Sequence, residues 1–551
     1  MAGSTASTNS ETSTGSDPRG WRNCVNWSGH DGAGGDGLVG EACAERQSLD
    51  LRIVPAALTA WAVSAAGIVW HLGAATMVGL GAVGVTWLAV RRGADPDSAV
   101  PRALGAAVLA VAAVATGFAV AVGLRVHQVE QHPIARLYGG SATVEVVPAE
   151  TPRPIKGGRL MFRAGLREVD QAPMRGRVLV FATPSFGGAG PGTPVRFRAA
   201  VNRPDRRDLS VAVLSASDRP TLGEASAVQR VAAQVRSRFA DAARAALPAD
   251  QAAMLPALVL GDTSAVTATT TAQFRTAGLT HLTAVSGANV TIVCGALLLS
   301  AVLIGPRLAV LLAGAGLVAF VIVVQPSASV LRAAVMGAVT LLAVLTHRRR
   351  QAVPALAASV MALMIAAPEL AVDVGFALSV CATAGIVVLA PAWACRLHER
   401  GWPRPVAAAV SVAVVAQLVT APLVAGISGT VSLVAVAANL AVAGLIPPIT
   451  VLGTAAAVCS GIWPDGAQLL IRFTGPELWW LLSVARWASA LPAAALPAPS
   501  GLAGVVAVAL GGVALTVLWR LRWVRRALAV LVFGLLAWTL AGQVAGAVRS
   551  A

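Results

Sequence analysis

Apolar runs of about 20 residues, the length a bilayer-spanning helix needs, recur close to a dozen times along this chain, and a stretch of different texture interrupts them. Three come first, at about 53–71, 73–90 and 101–124. From 125 to 250 the period shortens to two. SATVEVVPA (141–149), RLMFRAGLREV (159–169), RGRVLVFAT (175–183), PVRFRAAV (194–201) and LSVAVLSAS (209–217) alternate apolar and polar positions between Gly and Pro punctuation. Five short strands at that spacing predict a small β-barrel, with an OB-like fold as its natural form. A second helical block begins near Met254, with helices predicted near 279–304, 308–325, 328–346, 352–367 and 373–394. Residues 1–50 carry no apolar period and read as a disordered tail without a cleavable signal peptide.

Composition sharpens this picture. The chain has 551 residues, 56% hydrophobic and 12% charged, about half the charge of a soluble domain, with a mean hydropathy of +0.71. The predicted fold class is a polytopic α-helical membrane protein with an extracytoplasmic small β-barrel (OB-like) domain. Its divisions are a cytoplasmic tail over 1–50, three transmembrane helices over 51–124, the β domain over 125–250, a polar-faced transmembrane domain over 251–465, and interfacial and C-terminal transmembrane helices over 466–551.

The net charge of +16 is almost wholly arginine, since Lys156 is the one lysine. Positive loops at Arg91, Arg92 and Arg102, at His347 to Arg350, at Arg396 to Arg404 and at Arg520 to Arg526 belong on the cytoplasmic side. That puts the N-terminus inside and the β domain outside a cell (inner) membrane. The β domain is itself basic, with 19 Arg and Lys against 11 Asp and Glu over 125–250. The crossing count fails once, between about 430 and 495, where Pro447 and Pro448 break one segment. PELWWLLSVARWA (476–488) reads there as an aromatic helix lying in the interface.

Polar residues recur inside the greasy helices. In GLTHLTAVSGANV (278–290), His281, Thr283, Ser286 and Asn289 fall at spacings that share one helix face, and Gly287 admits a close neighbour. Interhelical packing explains that pattern as readily as a lined path does. Arg332, with Ser329 in SASVLRAAVMG (327–337), costs about 2.5–3.5 kcal/mol to place at a helix centre, so it is expected to face a polar interior. Asp262 reads as a cap for the next helix or a cavity residue. Gln417 and Asn439 suit packing or a pore equally, and Glu369 and Asp373 read as solvated. No P-loop, no His cluster for metals and no Cys-x-x-Cys occurs. The sequence therefore predicts no catalytic residue, no metal and no cofactor. Cys24 and Cys43 lie in the tail, and Cys294, Cys381, Cys395 and Cys459 read as small packing residues.

Together GDTS (261–264), GLTHLTAVSGANV, SVLRAAVM (329–336), GFALSVCATAGI (375–386) and AQLVTAPL (416–423) resemble the ComEC competence protein family, the inner-membrane channels for DNA uptake in natural transformation. The resemblance covers about 255–465, making 251–465 a competence-type channel domain, and the N-terminal helices with their β insert also look like that family. It implies inward passage of single-stranded DNA. The implied partners are single-stranded DNA, a DNA receptor and a separate nuclease outside, cytoplasmic motor or single-strand-binding proteins, and membrane lipid, with a homo-oligomer left open. On this reading His281, Ser286, Gly287, Asn289, Ser329, Arg332, Gln417, Asn439 and Asp262 line the path. Arg159, Arg163, Arg175, Arg177, Arg196 and Arg198 capture the strand on the β domain. Aromatics there are few (Tyr138, Phe162, Phe181, Phe197), so capture is expected to be electrostatic and salt-sensitive.

Two departures stand out. Members commonly have His where this chain has Asn289, and many carry a C-terminal β-lactamase-like domain of which nothing is seen past the last predicted helix at about 527–547. Strand degradation is therefore expected from another protein. The rival readings are a transporter or flippase for a small anionic or lipid-linked substrate, and a scaffold without transport.

Overall fold

The computed structural model describes residues 50–518, apart from 71, 93–99, 156, 284, 286, 300–304, 325–327 and 346–351. The tail with Cys24 and Cys43, Ser286, the basic loop at 347–350 and the predicted last helix lie outside the described residues. Helices α1 (Val54–Val69), α2 (Leu72–Arg92) and α3 (Val100–Glu130) pack against one another. At 1.5 Å per residue α3 runs about 46 Å, longer than the ~30 Å apolar core of a bilayer, and its polar end (Arg125, His127, Glu130) leads directly into the β domain.

The β domain is a closed ring. Strands β1 (Ser141–Pro148), β2 (Leu160–Val169), β3 (Ala172–Ala182), β4 (Val195–Asn202) and β5 (Ser210–Ala216) pair in the order β1-β2-β3-β5-β4, and β4 pairs back onto β1. All pairings in the ring are antiparallel except β3 with β5. The strict alternation of β4, with Val195, Phe197, Ala199 and Val201 buried and Arg196 and Arg198 exposed, is what fixes its register. Asp170 and Gln171, at φ 46° and 68°, turn β2 into β3, the two positive φ values that a tight hairpin wants. Asp170 also accepts the Thr143 N–H on Oδ1 at 2.8 Å. Phe162, Phe186 and Phe197 fill the interior, Phe186 edge-on to Phe197 at 5.0 Å.

Beyond the barrel the described chain is helical apart from one short antiparallel strand pair, Thr430–Ser432 with Ala495–Pro497: α4 (Ala227–Ala246), α5 (Ala249–Leu260), α6 (Ala268–Thr276), the single turn α7 (Thr280–Thr283), α8 (Gly287–Leu299), α9 (Pro306–Val324), α10 (Ala328–Leu345), α11 (Ala352–Ala366), α12 (Val374–Val388), α13 (Ala390–His398), α14 (Arg404–Ser428), α15 (Ala435–Val442), α16 (Ile446–Cys459), α17 (Pro464–Phe473), α18 (Gly475–Ala490) and α19 (Gly501–Leu518). Among the described residues five helical segments are long and apolar enough to cross a membrane, and seven shorter helices are apolar. Pro447 and Pro448 open α16 behind a 3-10 turn at Ala443–Leu445, so this segment is a broken helix, as its two prolines dictate. On α18, Leu478, Leu481, Leu482 and Ala485 are buried in the helical core while Trp479, Trp480 and Trp487 are exposed. Cys294, Cys381 and Cys459 are free, whereas Cys395, expected to be a packing residue like them, is disulfide-bonded.

Two expectations need correction. The helix predicted over 279–304 is interrupted between α7 and α8, with Val285 non-helical, so His281 and Thr283 do not share a continuous face with Asn289. Thr283, Ser286 and Gly287 are weak helix formers, and the break falls among them. Asp262 does not cap α6. Thr267 does so, its Oγ1 accepting the Thr270 N–H at 3.1 Å, whereas Asp262 Oδ1 accepts the Ser264 N–H in a local turn. Its carboxylate also faces Arg236, whose pKa is lowered by burial and held up against that by Asp262.

Candidate functional site

Of the predicted path residues, Gly287, Ser329 and Arg332 form one polar cluster, and Gln417 and Asn439 stand in a second on the other side of the α7–α8 break; Asn289 and Asp262 belong to neither. The first surrounds Arg332, which α10 holds in the helical core at 5% exposure. Its Nε donates to Ser379 Oγ on α12 at 2.9 Å, and its Nη1 to Met336 Sδ at 3.1 Å. Ser329, one turn earlier on α10, meets the same Ser379 hydroxyl at 3.2 Å. A Cβ on Gly287 would stand 3.0 Å from Arg332 Nη2 and 3.3 Å from Ala333, so the first residue of α8 is a glycine that lets the guanidinium lie against the helix start. Among the described residues no carboxylate pairs with Arg332. Its partners are neutral. An unneutralised guanidinium inside a bundle is costly, and next to a helix N-terminus it adds to a field that attracts anions.

The second cluster ties the α6–α7 turn to α14 and α15. Ser432 Oγ donates to the Thr276 carbonyl at 2.7 Å, Gln417 Nε2 reaches the Ser432 carbonyl at 3.4 Å, and Asn439 Nδ2 donates to Ala435 O at 2.8 Å and lies 3.5 Å from Gly278 O. Gly278 sits at φ 72°, and a Cβ there would come within 2.4 Å of the Ala435 Cβ. Here the positive φ and the close approach both demand glycine. His281 is exposed at this turn. Asn289, 4% exposed, donates to the Leu258 carbonyl at 2.9 Å and so serves the seam between α5 and α8.

The six β-domain arginines are also distributed unevenly. Arg175 is exposed, and its guanidinium has no partner among the described residues. Arg159 lies over the Phe181 ring at 5.7 Å. Arg196 pairs with Glu168 at 3.4 Å and Arg198 donates to Ser141 Oγ at 3.0 Å. Arg163 and Arg177, however, reach out of the domain altogether, to Asp373 at 3.7 Å and Glu369 at 2.6 Å. These acids belong to the 3-10 turn Pro368–Val372 and the N-cap of α12. Glu369 and Asp373 are therefore docking partners and not merely solvated, a role that no local pattern announces. Arg207, in the β4–β5 loop, donates to the Val69 and Trp70 carbonyls at the end of α1. Trp61 of α1 donates to the Ala371 carbonyl at 2.9 Å and packs edge-on against Phe376. The end of α1 and the turn between α11 and α12 thus lie on the β-domain side. Of the expected aromatics, Phe162 and Phe197 are spent in the barrel core, and Tyr138 donates to the Val211 carbonyl at 2.7 Å.

The arrangement gathers cations and neutral hydrogen-bonding groups, and the described residues hold no cluster of three or more His, Cys, Asp or Glu side chains suited to a metal. Ser379, Met336, Ser432 and Thr276 are the participants that sequence reasoning left out. Ser379 stood within GFALSVCATAGI, where a hydroxyl between apolar neighbours was its one signal. Residues 258–523, just under half of the chain, match the family model described as competence protein. No curated protein and no solved structure matches the chain.

Proposed function

We propose, from its membership of the competence protein family over residues 258–523, that the chain is the inner-membrane channel through which single-stranded DNA enters the cytoplasm during natural transformation. Buried Arg332, held by Ser379 and Met336 with no carboxylate partner among the described residues, carries the reading. A charge kept there uncompensated is a seat for a transient anion, and a passing phosphodiester supplies one at every nucleotide. Ser329, Gly287 and the α8 N-terminus complete that seat, while His281, Gln417 and Asn439 stand at the neighbouring turn.

The β domain supports the same reading. Its ring order β1-β2-β3-β5-β4 with β3 and β5 parallel suits an OB-like barrel, a fold whose strand 2–3 face takes up oligonucleotides. The ends of α1 and α3 and the 368–373 turn gather on the side of this barrel, the side that the positive loops assign to the exterior. Cytoplasmic partners supply the pull, because the sequence has no P-loop.

The test is DNase-protected uptake of labelled DNA in a transformable host lacking the gene, complemented with wild type or Arg332→Ala at matched membrane levels. Restoration by wild type alone supports the channel and puts Arg332 on its path. Uptake that never depends on the gene refutes the reading and leaves a small-anion transporter. Full activity of Arg332→Ala refutes the seat.

A further inference from the structure

Arg163 and Arg177 stand on the outer face of β2 and β3, their neighbours Phe162, Ala164 and Val178 pointing into the barrel. In the β2–β3 register Gly165 lies opposite Arg177 and Arg163 lies opposite Leu179. Both cations keep much of their surface accessible, with side-chain exposures of 49% and 40%. The contacts they make are imperfect. Arg177 Nη1 lies 2.6 Å from Glu369 Oε1, yet it is a buried atom without an aligned hydrogen-bond acceptor. The Arg163–Asp373 pair is long at 3.7 Å. Asp373 divides its carboxylate: Oδ1 accepts the Phe376 N–H at 2.9 Å as the cap of α12, and only Oδ2 faces Arg163. That pair can open while the cap stays.

We propose that Arg163 and Arg177 form a phosphodiester-receiving seat on the barrel, which Glu369 and Asp373 occupy as internal stand-ins, so that an incoming single strand is captured by displacing them. The proposal rests on the reading of the chain as a DNA conduit and deepens it. Two carboxylates held near a pair of guanidiniums present them with the charge and oxygens that successive phosphates would. Displacement does not free the barrel from the helices, because Arg207 still caps α1 through backbone carbonyls. Asp373 caps the helix that carries Ser379. Six residues separate them, about 9 Å along the helix axis, so a strand seated at the barrel arrives within reach of the Arg332 cluster.

The test measures anisotropy of a fluorescein-labelled oligothymidine with the purified full chain in detergent micelles, across a salt series. Each partly solvated ion pair shifts a competition by about 1.4- to 5-fold, so Glu369→Gln with Asp373→Asn should bind the strand about 2- to 30-fold tighter. Arg163→Gln with Arg177→Gln should bind more weakly, with the salt slope reduced by about 1.4, two single-strand phosphate contacts. Combining all four changes should give the weak binding of the arginine variant, since the acids matter only through those arginines. Unchanged or weaker binding by the amide variant overturns the seat while leaving the conduit standing. Absence of strand binding by wild type and every variant overturns both. If the double amide variant does not elute as a single species, Glu369→Gln and Asp373→Asn carry the test singly, each expected to tighten binding by about 1.4- to 5-fold.

Discussion

Replacing Arg332 by methionine should leave the protein at least about as stable and much less active. The two side chains have comparable reach, and Met336 already presents a thioether to the same space. Removing a guanidinium recovers at most about 2.5–3.5 kcal/mol, the insertion-scale figure for a helix centre, since Arg332 stands one turn into α10. Against that stands the loss of the hydrogen bond from Nε to Ser379, worth about 1.5–3 kcal/mol for a charged donor. On these figures the net runs from about 0.5 kcal/mol against to about 2 kcal/mol in favour of Arg332→Met, because no carboxylate is left orphaned by the change. Uptake should move the other way. Losing one charge-assisted contact to each passing phosphate slows passage by roughly 10- to 100-fold. Thermal unfolding followed by intrinsic tryptophan fluorescence in detergent gives the first quantity, and DNase-protected uptake at matched membrane level gives the second. A variant several kcal/mol less stable would show that the guanidinium is structural. A stable variant with wild-type uptake would remove Arg332 from the path.

Three further outcomes follow from single contacts. Gly278→Ala must place a Cβ 2.4 Å from the Ala435 Cβ at φ 72° and should cost about 1–3 kcal/mol, whereas Gly295→Ala on α8, with nothing within 4 Å, should cost nothing; equal melting temperatures would contradict the turn geometry. Thr267→Ala removes the cap of α6 and should lower stability by about 0.5–2 kcal/mol, with Thr267→Ser recovering most of it in the same melts. Tyr138 has its pKa raised above 10.0, burial outweighing the opposing charge of Arg203, so its contribution is present in full below pH 10 and is lost as the pH climbs through the folded value. Tyr138→Phe should accordingly flatten the alkaline limb of the stability profile, and an unchanged limb would count against the assignment.

The barrel was legible because one face of every strand is buried. Alternation in RFRAAV or SATVEV has only one register that hides Phe197 or Val144, so the five strand ranges follow within a residue or three. The long apolar helices were legible from apolar length, and Pro447 and Pro448 announced a break, whereas the polar α4 (Ala227–Ala246) was hidden inside the span read as β domain. The interruption at Val285 was not legible, because the weak helix formers of AVSGANV are residues that a continuous membrane helix also tolerates. The docking of the barrel was least legible of all. Arg177 and Glu369 are 192 residues apart, and each alone looks like an ordinary solvated charge. Sequence patterns report burial face by face, whereas ion pairs between separately folded units are set by how those units meet.

The same limit bears on what kind of cation the proposed path would need. Arg332 uses three different nitrogens: Nε for Ser379, Nη1 for Met336, and Nη2 beside Gly287. The first two fix the plane of the guanidinium, and the third packs against the start of α8. Lysine offers one ammonium on a flexible stem and cannot hold three directions at once. Arg332→Lys should therefore keep the attraction for phosphate but lose its aim, giving uptake between that of Arg332→Met and wild type at unchanged stability. Uptake equal to wild type would show that charge alone drives passage and that Ser379 is dispensable, a conclusion Ser379→Ala would then have to bear out. Uptake equal to Arg332→Met would show that orientation carries the whole effect and that charge without aim contributes nothing.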